Sequence, residues 1–352
     1  MRFVRRVGLN RPAAVLVVLA AMAAVVGGGC VATRLDDAAP LRVRNQHPAQ
    51  LTAIHGTARA ARATPPGAVD TRFGIDWTSL WLRPGTGSDR LVTDGEIVRA
   101  EAAVRFGLLP GLDLEVQLPV SHASGGTLDG FIEAWHDFFG LPQNDRDRFP
   151  RDEYRVEATR LRADGTVASA YRLDEGGVQL GDVPVFLTWF PIESEGSELR
   201  YSLGVRGGVE LPTGDEGDGY GNGGVDGYLG WVGGLDLVGA SFFTWGGRSW
   251  IHEPDRARDA GLSIPDKDAA GAGFEWALLP DLRAIAQVEW ERSVLRELDD
   301  SHASRDQVGL WLGGRVRLSD RATFEAGVGE DLIADVSPDV TFHFAVELAF
   351  GR

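Results

Sequence analysis

The stretch 340-VTFHFAVELAF-350 decides the fold. Val340, Phe342, Phe344, Val346, Leu348 and Phe350 share one side of an alternation, while Thr341, His343 and Glu347 share the other. Successive side chains of a strand point to opposite faces, so this segment has one apolar face and one polar face. About ten residues is also the length at which a tilted strand crosses the hydrocarbon of a bilayer.

Working outward, the same pattern recurs. In 112–121, Leu112, Leu114, Val116, Leu118 and Val120 oppose Asp113, Glu115 and Gln117. In 199–211, Leu199, Tyr201, Leu203, Val205, Val209 and Leu211 oppose Arg200, Ser202, Arg206 and Glu210. In 307–318, Val308, Leu310, Leu312, Val316 and Leu318 oppose Gln307, Arg315 and Arg317. Strands are expected near 72–82, 96–107, 112–121, 178–190, 199–211, 225–237, 238–246, 269–279, 282–293, 307–318, 322–330 and 339–350. The segment 154–173, which turns about Ala163-Asp164-Gly165, carries charge on both faces and reads as an extracellular ribbon. Its entry into the membrane would raise the count from about 12 strands to 14.

The connections separate a barrel from a sandwich. Short turns at 109–111, 279–281 and 319–321 alternate with long polar loops at 84–92, 122–150, 213–224, 247–267 and 294–306. A membrane barrel sorts its connections this way, with short turns inside and long loops outside. The expected fold is therefore all-β, an antiparallel up-and-down transmembrane barrel over 71–352 with one short helix in an extracellular loop. Composition agrees with this. Mean hydropathy is -0.11, and beyond the N-terminus no apolar run of helix-spanning length occurs. The 46 glycines suit strand bends, and the 10 tryptophans suit membrane interfaces.

The first 29 residues read as an export signal, with Arg2, Arg5, Arg6 and Arg11 ahead of an apolar run at 13–26. Cys30, the single cysteine, follows Gly27-Gly28-Gly29 as in a lipobox, although Gly27 stands where a leucine-like residue is usual. Lipidation of Cys30 and ordinary signal cleavage both stay open, and one cysteine allows no intrachain disulfide. Residues 30–70 lack periodicity and read as a periplasmic tether. Without the four signal arginines, 31 basic residues stand against 51 acidic ones, and Lys267 is the only lysine. So acidic a surface argues against nucleic-acid binding.

Two stretches, 119-PVSHASGGTLDGFIEAWHDFFGLPQNDRDRFP-150 and 42-RVRNQHPAQ-50, resemble the bacterial family catalogued as domain of unknown function 3187. A third, 211-LPTGDEGDGYGNGGVD-226, is similar to a loop of the outer-membrane family linked to phenol degradation. The resemblances imply an outer-membrane barrel, and transport by analogy. The Phe-rich end of the last strand likewise resembles the signal read by outer-membrane assembly machinery, with Gly351-Arg352 displacing the terminal aromatic.

The candidate functional residues are the charges expected on inner faces: Asp76, Arg99, Glu101, Arg105, Glu115, Arg206, Glu210, Glu289, Arg315, Arg317, Glu325, His343 and Glu347. In a narrow barrel they form cross-strand ladders; in a wider one they line a polar pore. A helix is expected at 127–140, where Leu128, Phe131, Ile132, Trp135 and Phe139 recur at helical spacing. It could plug the barrel mouth, lie on the outer leaflet or pack against other loops, and the mouth is the favoured place. Asp129, Glu133 and Asp137 are weak oxygen ligands for calcium, and no metal or other cofactor is expected. A lipid-hydrolase reading would need a nucleophile and base from Ser121-His122 and Ser301-His302. Adjacent strand residues point apart, so neither pair is itself a dyad, and no enzyme activity is expected. The resulting expectation is an outer-membrane channel or transporter-like barrel, touching membrane lipid and carrying a small molecule, hydrophobic by analogy. The alternatives are a structural or surface-interaction barrel with a filled lumen and, behind it, a lipid-modifying enzyme.

Overall fold

The structure, a computed structural model, describes residues 38–140, 146, 150–194, 199–332 and 338–351. The expected signal sequence and Cys30 lie outside these residues, as do the side chains of Trp135 and Phe139.

Twelve antiparallel strands close a barrel: β1 (Val69–Leu82), β2 (Asp89–Leu109), β3 (Leu112–Ser124), β7 (Val183–Ser194), β8 (Arg200–Leu211), β9 (Asp226–Leu237), β10 (Ala240–Trp250), β11 (Lys267–Leu279), β12 (Leu282–Glu291), β13 (Gln307–Ser319), β14 (Ala322–Asp331) and β15 (Val340–Phe350). Closure comes from β1 pairing with β15, with Asp76 opposite His343 and Thr71 opposite Leu348. No register offset disturbs the alternation there. The apolar row stays outside, where Phe73 is 58% and Phe344 46% exposed, and the polar row stays inside and buried.

Between β3 and β7 the chain builds a raised rim from β4 (Arg155–Leu161), β5 (Val167–Leu173) and β6 (Gly176–Leu180). Strand β4 continues the ladder against β2 where β3 ends, and β4 and β5 form the expected ribbon. The single strand expected at 178–190 is broken between β6 and β7, because Asp182 turns aside to accept from the N–H groups of Gly214 and Asn222.

Three short helices occur among the described residues: α1 (Pro48–Leu51), α2 (Asp129–Phe139) and α3 (Asp255–Asp259). The first belongs to a segment that the expectation placed outside the barrel. Residues 38–66 do not form a tether. They enter the lumen from the short-turn end, where Ala39 meets Glu275 and Arg315, and rise to α1, where His47 meets Thr93. They then descend past Ile54 and Arg59 to Thr64, which meets Asp70 at the turn end again.

A filled lumen as candidate functional site

The segment 38–66 carries Arg42, Arg44, Arg59 and Arg62 and no acidic residue, in a chain of net charge -16. Burying such a segment is costly unless each charge finds a partner. The inner wall supplies those partners. Arg42 makes a two-pronged contact with Glu115 at 2.7 and 3.1 Å, and Arg59 makes another with Asp113 at 2.7 and 2.8 Å. Parallel N–H···O pairs of this kind are the strongest geometry an arginine and a carboxylate adopt. Arg59 also donates to Thr188 at 2.9 Å, and Arg44 braces the segment itself by donating to the carbonyls of Gln50 and Ala53. Gln46 donates to Asp76 at 3.1 Å, and His55 lies 3.0 Å from Glu289 and 3.5 Å from Glu291. The His47 ring accepts from Ala49 N–H through Nδ1 and meets Thr93 through Nε2 at 3.1 Å. Burial holds its pKa down to about 4.

One flank of the plug is apolar. Leu41, Val43 and Ala58 pack with Phe190, Val232, Phe243, Trp245, Ile285 and Trp311 of the wall. Glycines make the room: a Cβ on Gly313 or Gly327 would lie 2.9 or 2.8 Å from Leu41, closer than carbon atoms approach. Trp245 faces inward and donates its indole N–H to Glu289 at 3.0 Å, so this tryptophan does not serve a membrane interface. Trp311 is buried inside as well.

Of the expected lumen charges, Asp76, Arg99, Glu101, Arg105, Glu115, Arg206, Glu210, Glu289, Arg315, Glu325 and His343 are buried; Arg317 and Glu347, toward the turn end, are partly exposed. Most join into ladders. Glu325 takes Arg72 and Arg315, each at 2.8 Å, and His343 at 3.1 Å; His343 also holds Asp76 at 2.6 Å. Arg206 reaches Glu115 at 2.9 Å and donates to the plug carbonyl of Thr57 at 3.1 Å. Glu210 differs: its Oε2 has no partner among the described residues and faces a cavity of about 30 Å³ beside Arg44 and Arg99. The expectation left out Asp113, Glu275 and Gln287, although each lies on the polar side of its strand.

The helix α2 is not in the mouth. Leu128 and Ile132 pack against Val340 with Trp77, Val328 and Phe342, all residues of the outward row, and Phe131 meets Phe342 edge-on at 6.0 Å. The helix lies on the outside of the barrel, where Phe138 is 82% exposed. What holds it there is Glu96, a carboxylate in the outward row of β2. It accepts from the N–H groups of Thr127 and Leu128, which open the helix, and from the Trp77 indole. Those N–H groups have no partner within the helix and carry its positive end, so a carboxylate is their natural mate. The candidate calcium ligands have other partners: Asp129 lies 3.3 Å from Arg146, and Glu133 pairs with Arg151. Ser301 bonds Thr86, and His302 meets the carbonyl of Arg83 at 3.1 Å, so the two do not form a nucleophile and its base.

Residues 16–350 match the model of a family described as Protein of unknown function (DUF3187). The chain belongs to that family. No curated protein matches it. Among solved structures, the COG4313 outer membrane channel from Pseudomonas putida F1 is similar with a TM-score of 0.53 at 11% identity, over 83% of this chain and 98% of that one. The NanC porin (TM-score 0.42, 8% identity, 81% and 100% covered) and the KdgM porin (0.39, 9%, 81% and 99%) are more distant. The fold is thus that of outer-membrane channels. No family linked to phenol degradation is shown by these comparisons.

Proposed function

We propose that the protein is a channel of the bacterial outer membrane whose lumen is closed by its own segment 38–66, and that solute passes when this plug is displaced. One observation carries the reading. Among the described residues, the hydrogen bonds between 38–64 and the wall have a side chain on at least one end, and the backbone-to-backbone bonds of the segment are internal. The wall ladders run unbroken from β1 to β15 behind it. Withdrawing the plug therefore breaks no strand pairing, whereas withdrawing any barrel strand would break two. The channel fold supports the same reading.

Single-channel recording from the purified full-length protein tests it. Wild type is expected to be closed or to open rarely, and exchanging Arg42 and Arg59 for glutamine is expected to raise the open fraction. Silence from both folded proteins would favour the structural barrel with a permanently filled lumen. That second reading draws on the complete burial of Arg59 and Asp113.

The helix α2 completes the proposal. Lying against the outward apolar row at the loop end, with Phe138 exposed, it rests at the outer-leaflet interface. Phe138→Ser is expected to lower quenching of barrel tryptophans by brominated lipid near the helix without changing the fold, and unchanged quenching would remove that contact.

A further inference from the structure

We infer that the solute admitted when the plug leaves is a cation with an apolar body. This rests on the channel reading and adds to it a class of cargo. Eleven carboxyl groups are buried on the inner wall among the described residues, against seven Lys or Arg side chains and His343, so acidic groups outnumber basic ones. The plug answers them with Arg42, Arg44 and Arg59, all buried, and with the half-buried Arg62. It brings no acidic residue in exchange. The wall is complementary to the plug, and a departing plug leaves that complementarity behind. Asp113 would lose the Arg59 guanidinium, and Glu115 would lose Arg42 while keeping Arg206 and Arg105. Glu210 is already without a partner at Oε2 and opens on the cavity next to the plug tip. Carboxylates on low-dielectric walls attract cations and raise the barrier to anions, the logic by which rings of acidic residues select cations in pores.

The apolar half of the inference comes from the aromatic residues of the same wall. Phe190, Phe243, Trp245 and Trp311 surround the aliphatic part of the plug, and the Arg59 guanidinium lies 5.4 Å from the centre of the Phe190 ring. Aromatic faces favour organic cations that shed water easily. Whatever replaces the plug meets both acid and aromatic rings, as Arg59 does between Asp113 and Phe190.

The test uses the full chain carrying R42Q/R44Q/R59Q, reconstituted in planar bilayers. Potassium chloride first reports whether a pore exists. A gradient of tetraethylammonium chloride then reports selectivity, and the expected reversal potential lies on the cation side, with cation permeability several-fold above chloride. Adding D113N/E115Q is expected to bring that ratio toward unity. A reversal at zero or on the chloride side, with potassium chloride currents present, overturns the inference and leaves the channel standing. If the triple variant fails to assemble, Arg59→Gln alone, which frees only Asp113, is measured in the same gradients. Absence of potassium chloride current from either folded variant removes the channel reading itself, and the inference with it.

Discussion

Two regions of the molecule changed places relative to what their positions in the chain suggest. The segment 38–66, an aperiodic lead-in to the first strand, lies inside the barrel. The helix α2, in the longest loop and closest to the mouth, lies outside on the wall. The contrast teaches that the surface chemistry of a segment, and not its place in the topology, decides which side of a barrel wall it takes. The inner wall has an excess of carboxylates and receives the stretch with four arginines and no acid. The outer wall is a row of Phe, Trp and Val side chains and receives the helix that offers Leu128 and Ile132. Each region is then held by polar anchors: Asp113 and Glu115 for the plug, Glu96 for the helix.

The sharpest way to break the comparison is at Arg59. Its side chain and that of Asp113 are both 0% exposed, so Arg59→Ala leaves a buried carboxylate with its guanidinium gone. Losing one partner of such a pair costs about 3–5 kcal/mol. Because the wall strands do not depend on the plug for pairing, that loss falls on plug seating. The expected result is a folded barrel, heat-modifiable on electrophoresis, in which 38–66 becomes open to proteases added on the turn side. A plug as protected as in wild type would show that the ion pair does not hold it.

At the other region the corresponding change is Glu96→Ala. It leaves the N–H groups of Thr127 and Leu128 and the Trp77 indole without their acceptor. Unpaired buried donors cost about 1–3 kcal/mol each, reduced here by whatever water reaches the helix end. The helix is expected to lift from the wall, seen as faster proteolysis within 125–152 and a change in Trp77 emission. Conductance is expected to stay as in wild type. An effect on conductance would tie the helix to the lumen after all, and would blur the distinction between the two regions.

Why the strands were legible and these two placements were not follows from periodicity. A half-buried strand advertises itself every second residue, so the twelve wall strands could be located from Val340, Phe342 and Phe344 and their equivalents, although β2 begins at Asp89, inside the loop expected at 84–92. The exception, 178–190, failed at Asp182, a loop-binding carboxylate inside an otherwise even pattern. A plug has no period, since it lies in contact with wall on all sides and extends without a partner strand. Its signal was compositional: four arginines without one acid between 38 and 66 in an acidic chain. The side chosen by α2 was signalled by Glu96, a lone carboxylate in the same outward row as Val98, Ala100 and Phe106. The lumen charges were legible as inner-face residues because register alone places them. Their pairing was not, because several of the partners, such as Arg42, Gln46 and His55, come from the plug.

The smallest expected effect distinguishes the regions by pH, since the plug carries a buried histidine on which its seating depends and α2 is anchored by a carboxylate. His47 accepts the Ala49 N–H through Nδ1, so its seated form is neutral. Its pKa is about 4 in the seated plug against an ordinary 6.5. A depressed value in the seated state means that the neutral ring favours seating: the contribution is complete above about 6.5 and is lost as pH falls toward 4. At pH 5 the displaced form gains on the order of tenfold relative to pH 7.5. Open probability is therefore expected to rise on mild acidification and to lose most of that slope in His47→Gln, which keeps an acceptor without a titrating ring. Proteolysis of 125–152 over the same pH series reports whether α2 responds as well. Acid-induced opening that survives in His47→Gln would assign the pH response to other groups and leave the plug held by its arginines alone.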